Sequence, residues 1–179
     1  NPYYIDITDN WTFLEDGTRF LMTSEKDGYN HIYLYLMDGT LVKQLTSGEW
    51  EVTNVYGFDG KEVYFQAAKN SSIERQIYAV NLKGEMRTLI NKVGTNNARF
   101  SSNFKYLINI NSSVEQPHQY VLFDNKGKQV RVLEDNKEFA ERMNEYNLGK
   151  KEFITITEPA FTLPDGTQIE MQTWRILPP

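Results

Sequence analysis

Cysteine is absent from the 179 residues, which removes disulfides, thiolate metal sites and a cysteine nucleophile. The two histidines, His31 and His118, stand alone, and neither has a second histidine at ligand spacing, so no zinc or copper site is expected. No apolar run approaches the length of a membrane span. No Gly-x-Ser-x-Gly occurs, so the sharp strand-to-helix elbow that presents a catalytic serine is missing, and there is no glycine-rich phosphate loop. The net charge is −5 and the basic residues Lys43, Lys61, Lys83, Arg87 and Arg131 form no stripe, which argues against nucleic acid as a partner. Asn1-Pro2-Tyr3-Tyr4 is no signal peptide and lacks a Met, and Trp174-Arg175-Ile176-Leu177-Pro178-Pro179 stops abruptly after a strand-like run. Both ends read as those of an excised fragment.

What is present is a repeat. Asp38-Gly39, Lys83-Gly84 and Lys126-Gly127 recur about every 43 to 45 residues, each six residues after an apolar position: Tyr33, Tyr78 and Val121. An earlier turn recurs as Asp16-Gly17, Asp59-Gly60 and, degraded, Asn103-Phe104. Tight Asx-Gly and Lys-Gly turns between alternating apolar and polar runs mark antiparallel hairpins. Aromatics at 13 per cent favour sheet.

The first unit reads as strands over Trp11–Glu15, Arg19–Ser24, His31–Met37 and Leu41–Thr46. The second reads as Val52–Phe58, Glu62–Ala68, Gln76–Leu82 and Glu85–Ile90, and the third as Asn97–Ser101, Tyr106–Asn111, Gln119–Asp124 and Gln129–Leu133. Four short strands per repeat is the pattern of β-propeller blades, which contact mainly their neighbours, so three of them imply a larger ring. The fold class is all-β: a partial β-propeller of three four-stranded antiparallel blades, then a short helix and a strand pair.

The pattern changes at Asp135. Asp135 and Glu138 have the spacing of a capping box, and Phe139, Met143 and Tyr146 follow at helical spacing before Gly149, which predicts a helix over about 136–147. Lys151–Thr157 and Gln168–Ile176 then read as two strands joined through Pro159 and Leu163-Pro164-Asp165-Gly166. The organisation is therefore blades over 1–134, a helical linker over 135–150 and a different unit over 151–179.

Candidate chemistry is sparse. His31 reads as a structural residue bonding a blade turn, and His118, beside Pro117, as an exposed loop residue. Ser24, Ser47, Ser101 and Ser102 sit at turns and strand ends. Glu49-Trp50-Glu51 either faces a cleft or joins two blades. Asn10, Asn70 and Asn111 begin glycosylation-type triplets, a pattern frequent by chance. No catalytic, cofactor-binding or metal-binding residue is assigned. If the blades are cut from a ring, the two end blades each lose a neighbour, and Phe13, Phe20, Tyr33 and Tyr35 of the first are expected to seek cover by self-association.

Thr23-Ser24-Glu25-Lys26-Asp27-Gly28-Tyr29-Asn30-His31-Ile32-Tyr33 and Leu45-Thr46-Ser47-Gly48-Glu49-Trp50-Glu51-Val52 resemble the dipeptidyl peptidase IV family of serine exopeptidases. So do Val130-Arg131-Val132-Leu133-Glu134-Asp135-Asn136 and Arg175-Ile176-Leu177-Pro178-Pro179, in the family's order. The resemblance implies an eight-bladed propeller covering a C-terminal α/β-hydrolase domain, with this chain as the last three blades and the hydrolase's first strands. It implies release of N-terminal dipeptides with proline or alanine second, a catalytic triad beyond Pro179, and a substrate-binding glutamate pair before Asn1. Glu49 and Glu51 flank a Trp and are not that pair. The implied partners are the peptide substrate, the remaining blades and hydrolase domain of the same chain, and a second copy in a homodimer. No cofactor, nucleic acid or membrane partner is implied, and the implied location is the bacterial periplasm or the exterior. Two other readings stand beside it: a stand-alone propeller serving as a binding module, and the propeller of a related oligopeptidase.

Overall fold

The computed structural model describes residues 10–163 and 165–178, without the side chains of 158–161. Asn1-Pro2-Tyr3-Tyr4, Pro164 and Pro179 lie outside the described residues. The chain forms β1 (Trp11–Phe13), β2 (Arg19–Ser24), β3 (His31–Leu36) and β4 (Leu41–Gln44), then β5 (Val52–Phe58), β6 (Glu62–Ala67), β7 (Gln76–Asn81) and β8 (Met86–Ile90). It continues with β9 (Thr95–Phe100), β10 (Tyr106–Ser112), β11 (Gln119–Asp124), β12 (Gln129–Glu134), α1 (Lys137–Met143), β13 (Lys151–Thr162) and β14 (Gln168–Ile176). Each group of four makes one antiparallel sheet in sequential order, and among the described residues β13 pairs only with β14. Three blades, a helix and a strand pair are therefore present, as the repeat predicts.

The hairpin turns share one device. A side-chain oxygen of Asp16, Asp38, Asp59, Asn81, Asn103 or Asp124 accepts the backbone N–H two residues on, at 2.8–3.1 Å. This is the Asx turn, which fixes the corner before the ladder forms. The degraded member keeps the bond but has no glycine, so Phe104 takes the left-handed conformation at φ 53. Its ring stacks on Tyr64, with centroids 5.4 Å apart, and occupies the space beside Gly57, where a Cβ would stand 2.5 Å from Phe104 Cζ. Stacking and close approach to a glycine offset a strained backbone.

Strand alternation sends the two faces of each blade to different neighbours. Val63, Phe65, Ala67, Tyr78 and Val80 of the second blade pack with Leu21, Ile32 and Leu34 of the first. Tyr64, Ile77 and Ala79 pack with Leu107, Val121 and Phe123 of the third. The middle blade is thus buried on both sides. On the open face of the first blade, Phe20 and Tyr33 are nevertheless buried, while Trp11 and Phe13 are exposed. Phe20 stacks on Tyr35 at 5.5 Å, and Lys26 Nζ sits 4.0 Å over the Tyr33 ring. Only part of that face therefore needs outside cover.

Two expectations are corrected at the linker. The helix is shorter than 136–147, and the capping box is not made. Asn136 stands at the N-cap with φ 53 and no side-chain cap bond. Asp135 instead accepts the Lys137 N–H at 3.0 Å, and the Asn136 amide donates to the His118 carbonyl. Asn tolerates the left-handed region, so anchoring to the blade wins over capping. Phe139, Met143 and Tyr146 are all exposed. Beyond the linker a third correction is that β13 runs on to Thr162, past the expected end at Thr157. Its register slips between Thr157 and Thr162. Pro159 lies in that stretch and has no N–H to give a ladder, which accounts for the slip.

The turn bonds predict an acid transition. Hydrogen bonds from the Thr18 N–H and then from Arg19 lower the Asp16 pKa from 3.8 to about 2. Backbone N–H groups likewise hold Asp38 and Asp124 below the ordinary range, from Thr40 and Lys128 respectively. The folded state binds fewer protons than the unfolded one, so this stabilisation is complete above the unfolded value and is lost as pH falls toward 2. Thermal melts from pH 6 to 2 should show the loss, and Asp16→Asn should flatten the slope while keeping the Thr18 bond. An unchanged slope in that variant would contradict the assignment.

Candidate functional site

The turn ends of the blades carry tight corners, whereas the opposite end carries the longer loops. These are the second-to-third-strand loops at 25–30, 68–75 and 113–118, and the blade-to-blade crossings at 45–51 and 91–94. The chain leaves β12 at this same end, and α1 and β13 follow.

Each exit is tied to the loop before it in the same way. The Asn30 carbonyl accepts the Val52 N–H at 2.8 Å, and the Arg75 carbonyl accepts the Asn96 N–H at 2.9 Å. At the third position the His118 carbonyl accepts the Asn136 side-chain amide. A crossing segment has no ladder partners, so these bonds hold it in place.

His31 organises the first crossing. Its ring is fully buried. Nε2 lies 3.0 Å from the Gly48 carbonyl, which can only accept, so Nε2 carries the proton. Nδ1 then accepts from Thr46 Oγ1 at 3.1 Å, and that oxygen accepts the Ile32 N–H at 3.0 Å. Trp50 meets the His31 ring edge-on at 4.9 Å and stacks toward Phe65 at 6.5 Å. Glu49 and Glu51 point into solvent. The reading of His31 as a structural residue holds, and Glu49-Trp50-Glu51 is the blade-joining loop.

At the second crossing buried amides do this work. Asn96 Nδ2 donates to the carbonyls of Arg75 and Lys92 at 2.8 and 2.7 Å, and Asn111 Nδ2 to that of Val93 at 3.0 Å. Asn109 Nδ2 donates to the Asn97 carbonyl at 3.1 Å, and Gln66 Nε2 to that of Asn96 at 2.6 Å. Asn111 is buried, which removes it as a glycan acceptor. Sequence reasoning missed this amide set. No local pattern marks it, because these amides are recognised only by the carbonyls they meet.

Two adjoining clefts open where the third blade meets the linker. One, of about 700 Å³, lies between Glu74 of the 68–75 loop, Val93 of the crossing, Thr95 of β9, and Lys151 and Phe153 of β13. The other, of about 910 Å³, lies between the 113–118 loop and Phe139, Met143 and Tyr146. Among the described residues no group of His, Asp and Glu is placed to hold a metal ion. Both His31 ring nitrogens are occupied, and His118 is exposed. Ser24 and Ser101 accept backbone N–H groups in turns, from Lys26 and Tyr106. No helix among the described residues is long and apolar enough to cross a membrane. The arrangement can line and restrict a cavity.

His31→Ala should cost about 3–5 kcal/mol in urea unfolding, since it leaves a cavity and strands the Gly48 carbonyl and Thr46 hydroxyl. Glu49→Gln and Glu51→Gln should stay within about 0.5 kcal/mol. Comparable losses in all three would remove the distinction between scaffold and surface.

Residues 1–118 match the model of the dipeptidyl peptidase IV (DPP IV) N-terminal region. A probable dipeptidyl peptidase 4 of Arthroderma benhamiae is 32% identical over 165 residues, covering 88% of this chain and 19% of that protein. A probable dipeptidyl-aminopeptidase B of Trichophyton verrucosum is 33% identical over 159 residues, covering 84% of this chain and 18% of the relative. Among solved structures, Porphyromonas gingivalis dipeptidyl peptidase 4 superposes with a TM-score of 0.81 at 38% identity, over 95% of this chain and 24% of that one. A putative dipeptidyl aminopeptidase IV from Bacteroides ovatus gives 0.74 at 26%, over 96% of this chain and 27% of the other. The chain thus spans about a fifth of the length of the curated relatives it matches. With the blade repeat, the two crossings and the matched region in agreement, the chain belongs to the dipeptidyl peptidase IV family and carries part of its N-terminal β-propeller region.

Proposed function

We propose that this chain is the non-catalytic propeller part of a serine dipeptidyl peptidase that releases N-terminal Xaa-Pro or Xaa-Ala dipeptides. In this reading residues 1–134 are blades that wall and gate the active-site cavity, 135–150 link them to the catalytic domain, and 151–179 begin that α/β-hydrolase domain. The partners are the peptide substrate, the remaining blades and hydrolase domain of the same protein, and a second copy in a homodimer. The location is periplasmic or secreted.

The observation that carries the reading is the exit of the chain. β12 leaves the third blade at the end that bears the long loops and both clefts, and Asn136 pins that exit to the His118 carbonyl. A unit attached there sits over the cavity end of the ring. Among the described residues β13 pairs with β14 alone and Phe153, Trp174 and Ile176 are exposed, which suits a sheet edge open to further strands.

The full-length protein should release dipeptides from Xaa-Pro reporters with a free amino terminus and spare the same reporters when N-blocked. Cleavage of blocked peptides would point to an oligopeptidase instead. The 179-residue chain alone should leave a Gly-Pro reporter intact. Cleavage by the purified chain, abolished by changing His31 or His118, would refute the proposal.

A further inference from the structure

The outer strands of the three blades carry a cation at one repeated place. Lys43, Arg87 and Arg131 stand across from Leu34, Ala79 and Leu122 in the same register. In the first two cases the cation reaches over the junction. Lys43 Nζ donates to the Lys83 carbonyl at 2.6 Å, in the last hairpin turn of the second blade. Arg87 Nη2 donates to the Asn125 carbonyl at 2.8 Å, in the corresponding turn of the third.

The turn glycine completes each contact. A Cβ on Gly84 would meet Lys43 Cε at 3.3 Å and the Leu45 carbonyl at 3.6 Å, and a Cβ on Gly127 would run into the Leu89 carbonyl. At Gly127 the close approach itself demands glycine, whereas at Gly84 it is the positive φ that favours glycine, the Lys43 side chain having room to give. Leu45 and Leu89 are then covered, at 4% and 5% exposure, while their counterpart Leu133 is 40% exposed. Arg131 is exposed and has no partner among the described residues. At the other end, Gly39 has nothing within 4 Å.

We propose that Arg131 is the third member of this inter-blade latch. It donates to a backbone carbonyl in the last hairpin turn of the blade that follows in the closed ring, and that turn covers Leu133. The occupant is a blade presenting an Asx turn with a glycine of positive φ, because that is what the two complete junctions hold. The inference rests on the reading of this chain as three blades of a larger propeller.

Hydrogen–deuterium exchange by mass spectrometry on the full-length protein tests it. Arg131→Ala should accelerate exchange by about tenfold in β12 and in one hairpin-turn peptide of a blade outside residues 10–134. Arg131→Lys should leave that peptide protected, since Lys43 serves at the first junction. Lys43→Ala supplies the reference by exposing the Lys83-Gly84 turn. Acceleration confined to 119–134 would overturn the latch. Loss of a dimer together with deprotection of 37–40 would make a second copy the occupant and would overturn it too. Peptidase activity is assayed separately: an inactive protein that still shows the distant deprotection refutes the proposed function and leaves the latch standing.

Discussion

A β-strand turns successive side chains to opposite faces, and the central strands here carry apolar side chains on both. Such a sheet cannot stand alone in water. The second blade shows the consequence: Val63 and Phe65 face one neighbour, while the intervening Tyr64 faces the other. Burying a large side chain contributes about 1.5–3 kcal/mol, so the junctions supply most of what stabilises each blade. The rest of the structure follows from keeping the blades face to face. Turn glycines allow close approach, outer-strand cations reach across, and aromatic rings fill the gaps left by Gly57.

The two ends of the blades solve different problems. At the turn end the chain reverses within a hairpin, and one Asx oxygen per corner suffices. At the other end it must pass from one blade to the next without a ladder. There the free carbonyls go to side-chain donors: the buried His31 ring at the first crossing, buried Asn96, Asn109 and Asn111 at the second, and the part-exposed Asn136 at the third. These side chains make the loop end stiff without making it reactive. The two clefts open at this loop end, beside the third blade's exit.

Much of this was legible in the sequence because turn chemistry is local. Asp38-Gly39 and its repeats located the hairpins, and alternation located the strands between them. The errors fell where a distant contact overrode a local signal. Asp135 and Glu138 have capping-box spacing, yet Asn136 is drawn to the His118 carbonyl and the box is lost. Pro159 reads as a breaker, yet a register slip carries β13 past it. Phe20 and Tyr33 read as an open face, yet both are covered. The buried amides of the second junction were illegible because an Asn in a strand signals nothing until the carbonyl it meets is known. The family was legible through Asp27-Gly28-Tyr29-Asn30-His31-Ile32 and Gly48-Glu49-Trp50-Glu51-Val52. The first half of that signal is a buried His, and the second is the crossing it secures.

Leu45, Leu89 and Leu133 occupy one repeat position, and the first two, each followed by a blade, are buried while Leu133 is exposed. Truncating each to Ala in the 179-residue chain and measuring unfolding in urea isolates the neighbour's contribution. Leu45→Ala and Leu89→Ala should each cost about 2–4 kcal/mol, and Leu133→Ala less than about 1 kcal/mol. Equal costs at all three positions would mean that blades are stabilised from within, and would contradict the face-to-face account.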